Sequence, residues 1–240
     1  MSRKRKDEAA EGPVVRFRGA GFGYDGGVEA IRDLDLTLER GSLHLLTGPS
    51  GAGKSTLLKL MYLALEPTRG SFELFGHDIA RERRSALPLL RRRIGVVFQE
   101  FRLLDHLSAF DNVALPLRIA GRRAGKYRDD VAELLDWVGL GHRMDAAPPT
   151  LSGGEKQRLA IARAVVAKPE LILADEPTGN VDPDMAVRIL RLLTELNRMG
   201  ATVLIATHDR ELVERAGAPV LRLEGGRLAS VDGGPVTVRR

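Results

Sequence analysis

Short apolar runs separated by turn residues fill much of the first hundred positions. They lie at 14–17, 34–38, Leu43–Thr47, 71–75 and 94–98, and their length and bounding residues are typical of strands. Between 54 and 65, leucines and Met61 recur at near-helical spacing, which predicts a helix that begins directly after a glycine-rich loop.

The second half of the chain has a different pattern. From 108 to about 167 it is mostly helical, with breaks at Gly121, 139–141 and 148–149. Strands are then predicted at 171–174, 202–207 and 220–223, with helices at 185–197 and 210–215. Alternating strands and helices predict a mainly parallel sheet covered on both faces. The helical middle segment is predicted to be an inserted subdomain.

Composition narrows the class of protein. The 240 residues are 43% hydrophobic and 29% charged and include no Cys, which favours one large folded domain. A disordered chain, a collagen, a disulfide scaffold and thiolate chemistry are excluded. No uncharged stretch approaches the roughly 18 residues of a membrane helix. Residues 1–12 contain a short basic run with no apolar region behind it, so we interpret them as a disordered leader rather than a secretory signal.

Basic residues exceed acidic ones, for a formal net charge of +5. The segment 81–93, RERRSALPLLRRR, carries six Arg against one Glu and accounts for this excess by itself. Such a cluster is compatible with nucleic acid, anionic lipid or small anions, and equally with a solvated helix face.

The segment GPSGAGKST fits G-x-x-x-x-G-K-[ST] between a predicted strand and a predicted helix. Its members are Gly48, Pro49, Ser50, Gly51, Ala52, Gly53, Lys54, Ser55 and Thr56. The glycines let backbone N–H groups curl around an anion, and the helix N-terminus adds partial positive charge. Lys54 can reach the β- and γ-phosphates of ATP, and Ser55 can ligate Mg²⁺. A serine-hydrolase elbow is excluded because Ala52 stands at its second glycine.

The apolar run LILADEP at 171–177 ends in two carboxylates. In a parallel sheet the carboxyl ends of the strands line the ligand crevice. Asp175 can therefore hold Mg²⁺ through water, and Glu176 can orient or deprotonate an attacking water. Two adjacent acids are weak evidence alone, since solvated strand ends look the same, and it is the phosphate loop that favours this interpretation.

A second anion site is predicted in LSGGEKQRLAIARA at 151–164, where Ser152, Gly153 and Gly154 begin a helix. Without the phosphate loop, Ser152 would be interpreted as a helix N-cap only. One ATP needs a single such loop from its own chain. Two sites therefore predict a head-to-tail pair in which the second site of each chain closes the nucleotide of the other.

These motifs, with NVD at 180–182 and a late histidine in IATHD, together resemble the ATP-binding cassette (ABC) ATPases over about residues 14–230. The resemblance implies an α/β fold with a mainly parallel sheet core, an antiparallel β-subdomain and an inserted α-helical subdomain. It places the domain at 13–240 and the helical subdomain at about 100–167. It also implies a homodimer that sandwiches two ATP, with Mg²⁺ as cofactor.

The resemblance also implies roles for further residues. Tyr24 in FGYDGG would stack on adenine, and Gln99 in VVFQEF would sense Mg²⁺ and water. Asp182 would couple the two sites of the dimer, and His208 would contact the γ-phosphate. Each has a structural alternative: a core tyrosine, a surface glutamine, a structural histidine. The other four histidines show no metal-ligand spacing.

Within the family, the segment at 96–121, VVFQEFRLLDHLSAFDNVALPLRIAG, is similar to the cell-division ATPases. Those pair with a four-helix membrane protein of the FtsX type at the cytoplasmic face of the inner (plasma) membrane, and are associated with control of cell-wall hydrolysis. The alternative is a lipoprotein-release or macrolide-export ATPase, which shares ADEPTGN. Lys156 and Val181 depart from the usual Gln and Leu, and neither is a phosphate-contacting position.

Three classes of function share these motifs. A DNA-maintenance ATPase shares LSGG but needs a long coiled coil between Lys54 and Leu151, for which the segment is too short, so no nucleic acid partner is expected. A transporter ATPase and a cell-division ATPase stay open. For either, the segment 99–112 is predicted to dock a membrane partner, and 81–93 to face an anionic membrane surface.

Overall fold

A computed structural model of the chain describes residues 12–24, 27, 29–179 and 181–232. Apart from residue 12, the predicted leader at 1–12 lies outside the described residues. None of the helices in these ranges is long and apolar enough to cross a bilayer.

The strands build two sheets, and their bounds in chain order are β1 (Val15–Gly23), β2 (Glu29–Leu38), β3 (Leu43–Thr47), β4 (Arg69–Leu74), β5 (His77–Asp78), β6 (Ile94–Val97), β7 (Leu171–Asp175), β8 (Thr202–Ala206), β9 (Val220–Glu224) and β10 (Arg227–Asp232). A four-stranded antiparallel sheet has the order β2-β1-β4-β5. A six-stranded sheet has the order β10-β9-β3-β8-β7-β6 and is parallel except for the β9–β10 hairpin. The predicted α/β architecture is confirmed.

The helices are α1 (Lys54–Met61), α2 (Leu87–Arg91), α3 (Ala109–Ile119), α4 (Arg128–Trp137), α5 (Gly153–Val165), α6 (Pro183–Arg198) and α7 (Arg210–Ala216). Short 3₁₀ turns lie at Ile79–Arg81, Ala124–Lys126, Gly141–Arg143 and Pro148–Thr150. Helix α1 ends at Met61, earlier than the predicted 65, because the chain reverses at Leu63, whose φ is +62°. An N-cap opens each of α3, α5, α6 and α7: Ser108, Ser152, Asp182 and Asp209.

Three buried clusters follow from this arrangement. One fills the space between the antiparallel sheet, α1 and one face of the parallel sheet, with Phe17 and Phe72 stacked at 4.3 Å between ring centroids. A second joins α3, α4 and α5 and is centred on Val113, Leu135 and Leu159. A third lies between the other face of the parallel sheet and α5, α6 and α7. Helix α5 thus contributes to two clusters and connects the helical layer to the sheet.

The arginines of the basic segment 81–93 lie in more varied environments than the sequence predicted. Helix α2 occupies part of it, and Arg93 is half-buried, with its guanidinium 3.9 Å from the centre of the Phe75 ring. Arg93 also pairs with Glu170 at 2.5 and 2.8 Å. The prediction that the whole segment faces anionic lipid is wrong for Arg93, because its guanidinium is already bonded to a carboxylate and packed on an aromatic ring of the same chain.

Strand β6 packs unusually closely on helix α5 at Gly95. A Cβ placed there would lie 2.3 Å from the carbonyl oxygen of Ala164 and 3.0 Å from Pro169 Cγ. We expect Gly95→Ala to reduce the free energy of unfolding by about 1–3 kcal/mol, because the helix must move off the sheet. Urea denaturation measures this.

The matched control is Gly125→Ala, since an added Cβ there meets no atom within 4 Å. It should leave stability unchanged or raise it slightly by restricting the unfolded chain. Equal denaturation midpoints for the two variants would contradict the close approach of strand and helix.

Candidate active site

The parallel register of the central strands brings three segments to one edge of the sheet. Leu46 at the end of β3 and Asp175 at the end of β7 both pair with Ala206 at the end of β8. The N–H of Thr207 donates to the carbonyl of Leu46 at 3.0 Å, and that of Glu176 donates to the carbonyl of Ala206 at 2.9 Å. The residues that directly follow these strands therefore lie side by side, as expected for a ligand crevice at carboxyl strand ends.

The phosphate loop, residues 48–56, runs from β3 into α1 and is held tightly. A Cβ at Gly48 would lie 2.1 Å from the Leu223 carbonyl oxygen, and one at Gly53 would lie 2.5 Å from that of Ala30. Their φ angles are +148° and +105°, in the region that favours glycine. The loop conformation, with the N–H groups of α1 turned toward the edge of the sheet, is thus specified by both space and backbone dihedrals.

Lys54 folds back over this loop. Its Nζ donates to the carbonyl oxygens of Gly48 at 2.7 Å and Pro49 at 3.2 Å, which places the ammonium group beside the N–H groups of the loop. This is where a phosphate group bound by the loop would meet a fixed positive charge.

Ser55 and Asp175 form an oxygen pair next to Lys54. The Ser55 hydroxyl is hydrogen-bonded to the Asp175 carboxylate, and burial raises the pKa of Asp175 despite that hydrogen bond. Desolvation disfavours the charged form of this carboxylate, so a nearby cation would stabilise it. Hydroxyl and carboxylate oxygens are ligands suited to a hard cation such as Mg²⁺.

Glu176 is held in an uncommon backbone conformation, with φ +47°. Its side chain is only 12% exposed, and Oε1 lies 2.8 Å from Nδ1 of His208. The backbone N–H of His208 donates to Oε2 at 3.4 Å. The imidazole itself is 73% exposed. The arrangement gives a largely buried carboxylate oriented by a histidine, which is a geometry suited to general-base chemistry on water.

Gln99 lies at the same edge, two residues after the end of β6. Its Nε2 is 4.0 Å from the point that a Cβ on Gly179 would occupy, and Glu176 Cβ is 3.8 Å from that point. The structure therefore places the glutamine amide near Glu176, although the two are far apart in sequence.

Tyr24 borders the phosphate loop on another side. Its Oη is 3.2 Å from Oγ1 of Thr56, and its ring packs edge-on against Phe22 with centroids 4.9 Å apart. The ring is still 44% exposed. A supported aromatic ring with an open surface beside the loop is suited to stack on a base.

The start of helix α5 is a capping box. Ser152 Oγ accepts from the N–H of Glu155 at 3.2 Å, and the Glu155 carboxylate accepts from the N–H of Ser152 at 2.8 Å. That backbone hydrogen bond is the main reason why the pKa of Glu155 is lowered. Ser152 and Gly153 are exposed. No hydrogen bond or ion pair among the described residues joins 152–154 to the phosphate loop of the same chain.

Asp182 lies outside the cluster formed by Lys54, Asp175 and Glu176. It is exposed and caps α6 by accepting from the N–H of Met185 at 2.9 Å. Met185 in turn lies next to α5, here called the signature helix because Ser152, Gly153 and Gly154 (the signature residues) form its start: a Cβ on Gly154 would be 3.2 Å from Cε of Met185. Asn180, the first residue of the NVD segment that ends in Asp182, is outside the described residues.

Sequence reasoning missed two side chains that connect these parts. Met185 links α6 to α5, and its sulfur also accepts from Arg158 at 3.5 Å. Arg163 reaches from α5 to the backbone that follows Gln99. A signal for Arg163 was present: it is a cation within the otherwise apolar sequence LAIARAV of a helix that had to pack on a sheet.

Comparisons with known proteins agree with this geometry. The sequence profile of the ABC transporter family matches residues 31–179. The chain is 46% identical to the cell division ATP-binding protein FtsE of Escherichia coli K12, over 90% of this chain and 97% of that one. It is 42% identical to the protein of the same name from Bacillus subtilis, over 85% of this chain and 89% of that one.

A solved structure is also similar. The dimeric ATP-binding cassette MJ0796, in a post-hydrolysis state bound to ADP and Pi, superposes with a TM-score of 0.84 at 32% identity, covering 91% of this chain and 97% of the other. The chain therefore belongs to the ABC transporter family, as an ATP-binding subunit that hydrolyses ATP.

Proposed function

We propose that the chain is the ATPase of a membrane complex that acts in cell division. The observation that carries this assignment is its 46% and 42% identity, over most of both lengths, to two relatives named cell division ATP-binding protein FtsE. The site geometry supports the chemical half of the proposal, because the phosphate loop, the paired oxygens and the Glu176–His208 pair lie at one edge of the sheet.

In the proposed site the loop residues Gly48, Pro49, Ser50, Gly51, Ala52, Gly53, Lys54, Ser55 and Thr56 bind the phosphates of ATP. Lys54 supplies the fixed charge at the β- and γ-phosphates. Tyr24 stacks on the adenine ring, and its contact with Thr56 keeps it next to the loop.

Mg²⁺, when bound, neutralises charge that develops on the phosphate oxygens. Ser55, Asp175 and Gln99 are the residues that would hold it, Asp175 through water. The fit rests on the oxygen pair made by Ser55 and Asp175 and on the raised pKa of a carboxylate that burial has desolvated.

Glu176 is the proposed base that orients the attacking water and accepts its proton. His208 holds one carboxylate oxygen at 2.8 Å and so limits the orientations that Glu176 can adopt. A protonated imidazole would donate from both ring nitrogens, one toward Glu176 and the other toward a γ-phosphate oxygen. Gln99, near Glu176, would complete the shell around the water.

The active form is proposed to be a homodimer with two sandwiched ATP molecules. Ser152, Gly153 and Gly154 are exposed or half-buried and make no polar contact with their own phosphate loop. They would bind the γ-phosphate held by a second copy, and the exposed Asp182 would lie at the interface between the two sites. The similar dimeric cassette bound to ADP and Pi supports this arrangement.

The membrane partner is proposed to be a protein of the FtsX type, docked at 99–112, with the chain peripheral at the cytoplasmic face of the inner (plasma) membrane. The loop between Gln99 and α3 is preorganised by Asn112 on α3, which is fully buried. Its side chain accepts from the N–H of Leu104 at 2.9 Å and donates to the Leu104 and Leu107 carbonyls at 3.1 and 3.2 Å. An ordered loop loses less conformational entropy when it binds a partner.

An anionic membrane surface is proposed as a second contact, now restricted to the exposed part of 81–93. Arg83 and Arg84 are exposed, and no hydrogen bond or ion pair engages either guanidinium within the described ranges. Leu89 on α2 is 60% exposed. Arginines next to an exposed apolar side chain suit the headgroup region of an anionic bilayer.

The first prediction concerns hydrolysis. Glu176→Gln should bind Mg-ATP but slow turnover by about a hundred-fold or more, because an amide cannot accept the proton. The retained ATP should hold two chains together, which light scattering with and without ATP will show. Glu176→Gln combined with Lys54→Ala is the matched control and should stay monomeric, since the cation at the phosphates is gone.

Glu214→Gln, on the exposed face of α7, should behave as the wild type in the turnover assay. A Glu176→Gln chain that binds ATP yet stays monomeric at high protein concentration would contradict the sandwich dimer.

The second prediction tests the cell-division assignment. A tagged chain should capture an FtsX-type membrane protein from detergent-solubilised membranes, identified by mass spectrometry. Asn112→Ala should weaken capture, because the docking loop loses its buried hydrogen bonds, while ATP binding persists as the measure of correct folding. Capture of a lipoprotein-release or macrolide-export permease instead would assign the chain to the alternative class.

The third prediction concerns lipid. Arg83→Gln with Arg84→Gln should weaken binding to vesicles of phosphatidylglycerol and phosphatidylcholine by roughly thirty-fold, at about 1 kcal/mol for each arginine. The wild-type affinity should fall with added salt. The control pair Arg198→Gln with Arg215→Gln changes two exposed arginines on α6 and α7. Equal losses in both pairs would argue against a localised lipid-facing surface.

A further inference from the structure

Two consecutive residues directly after Gln99 and Glu100 have left-handed backbone conformations. Phe101 has φ +56° and Arg102 has φ +49°, and neither is a glycine. Such conformations persist in non-glycine residues only where the surroundings hold them. The backbone that leads away from Gln99 is therefore held in place by specific contacts.

Arg163 makes the most direct of these contacts. From helix α5 its Nη2 donates to the carbonyl oxygen of Phe101 at 2.7 Å, and its Nη1 donates to that of Arg102 at 2.6 Å. One guanidinium group thus donates to the carbonyls of both residues that have left-handed backbone conformations. The planar, rigid donor geometry of arginine suits two adjacent acceptors, which a lysine ammonium group matches poorly.

The guanidinium is held by these carbonyls rather than by a carboxylate. No ion pair among the described residues includes Arg163, and burial lowers its pKa. Burying a cation is unfavourable unless the cation is fully hydrogen-bonded. The two carbonyl contacts therefore stabilise the Arg163 guanidinium in this position.

Arg163 and the signature residues belong to the same rigid helix. Ser152 caps α5, Gly153 begins it, and Arg163 lies near its other end. A displacement of the helix start therefore moves Arg163, and with it the two carbonyls that follow Gln99. The Arg102 side chain adds a second anchor to this turn, since its guanidinium lies 4.2 Å from the centre of the Phe98 ring.

We infer that Arg163 is a positioning residue that sets the place of Gln99 according to the position of the signature helix. Its guanidinium contacts the backbone at Phe101 and Arg102. It acts on the strained turn at Phe101 and Arg102. When ATP bound by a second chain engages Ser152–Gly154, this turn would transmit the displacement of the helix to Gln99, which lies beside Glu176. This inference rests on the proposed roles of Gln99 and of the signature residues.

The test is a double-mutant cycle on the full chain with Arg163→Gln, Gln99→Ala and both together. Arg163→Gln should lower kcat by about ten-fold, as is typical when a supporting partner is lost, with little change in KM for ATP because the phosphate loop is untouched. The Mg²⁺ concentration for half-maximal turnover should rise by a similar factor in both single variants. In the Gln99→Ala background, Arg163→Gln should not lower kcat any further.

Arg163→Lys keeps the charge without the fork and should give an intermediate kcat. It takes the place of Arg163→Gln in the cycle if the latter does not fold. Arg198→Gln, an exposed arginine on α6, is the matched control and should leave kcat and the Mg²⁺ dependence unchanged.

The outcomes distinguish a failure of this inference from a failure of the proposed role of Gln99. The positioning role is overturned if the two losses in kcat multiply in the double variant. It is also overturned if Arg163→Gln lowers the melting temperature but leaves kcat and the Mg²⁺ dependence unchanged. In either case Arg163 is a packing residue. Unchanged turnover in Gln99→Ala alone would instead overturn the proposed role of Gln99, and this inference with it.

Discussion

The site depends on the register of three parallel strands. Because Leu46 near the end of β3 and Asp175 at the end of β7 both lie opposite Ala206 of β8, the phosphate loop, the Asp175–Glu176 pair and His208 lie at the same edge of the sheet. A one-residue slip in any of these strands would also turn its side chains to the opposite face. The strands are buried on both faces, so the apolar cores that specify their register specify the active site as well.

Three strained backbone positions lie around this edge. Glu176, Phe101 and Arg102 have positive φ angles without being glycine, at a cost on the order of 1–3 kcal/mol each. Neighbouring hydrogen bonds offset part of that cost: the Ala206 carbonyl accepts from the N–H of Glu176, and Arg163 donates to the two carbonyls after Gln99. The strained residues therefore owe their conformation to elements far away in sequence, which ties the site to the integrity of the whole fold.

The sequence predicted the parts of the site that depend on local physics. A phosphate loop can be identified because its glycines and Lys54 occur in one short segment, and strand β3 before it was predicted at its observed bounds. Contacts between distant segments were not predictable in this way. The pairing of Arg93 with Glu170, and of Arg163 with the turn after Gln99, arises only when the sheet brings α2, β6 and α5 together. The roles of Gln99, Asp182 and His208 came from the family resemblance, since a lone polar residue carries little local signal.

Some missed elements have a similar explanation. Strand β5 has two residues, too few for a periodic pattern, and β10 alternates polar and apolar residues after a Glu-Gly-Gly turn close to the end of the described chain. Helix α2 is only five residues long, contains Pro88, and is flanked by arginines. Its single turn is stabilised by burying Leu87 and Leu90 against the first core cluster rather than by intrinsic propensity.

The start of α5 is capped and still leaves hydrogen-bond donors for the anion contact proposed there. The capping box occupies the N–H groups of Ser152 and Glu155, so the donors left by helix geometry are those of Gly153 and Gly154. The Glu155 carboxylate would repel a phosphate at that position, but Arg143 lies 3.6 Å away and partly balances its charge. The Ser152 hydroxyl can also donate while its oxygen accepts from Glu155. Among the described residues, two glycine N–H groups and one hydroxyl thus remain available for the proposed contact with ATP bound by a second copy.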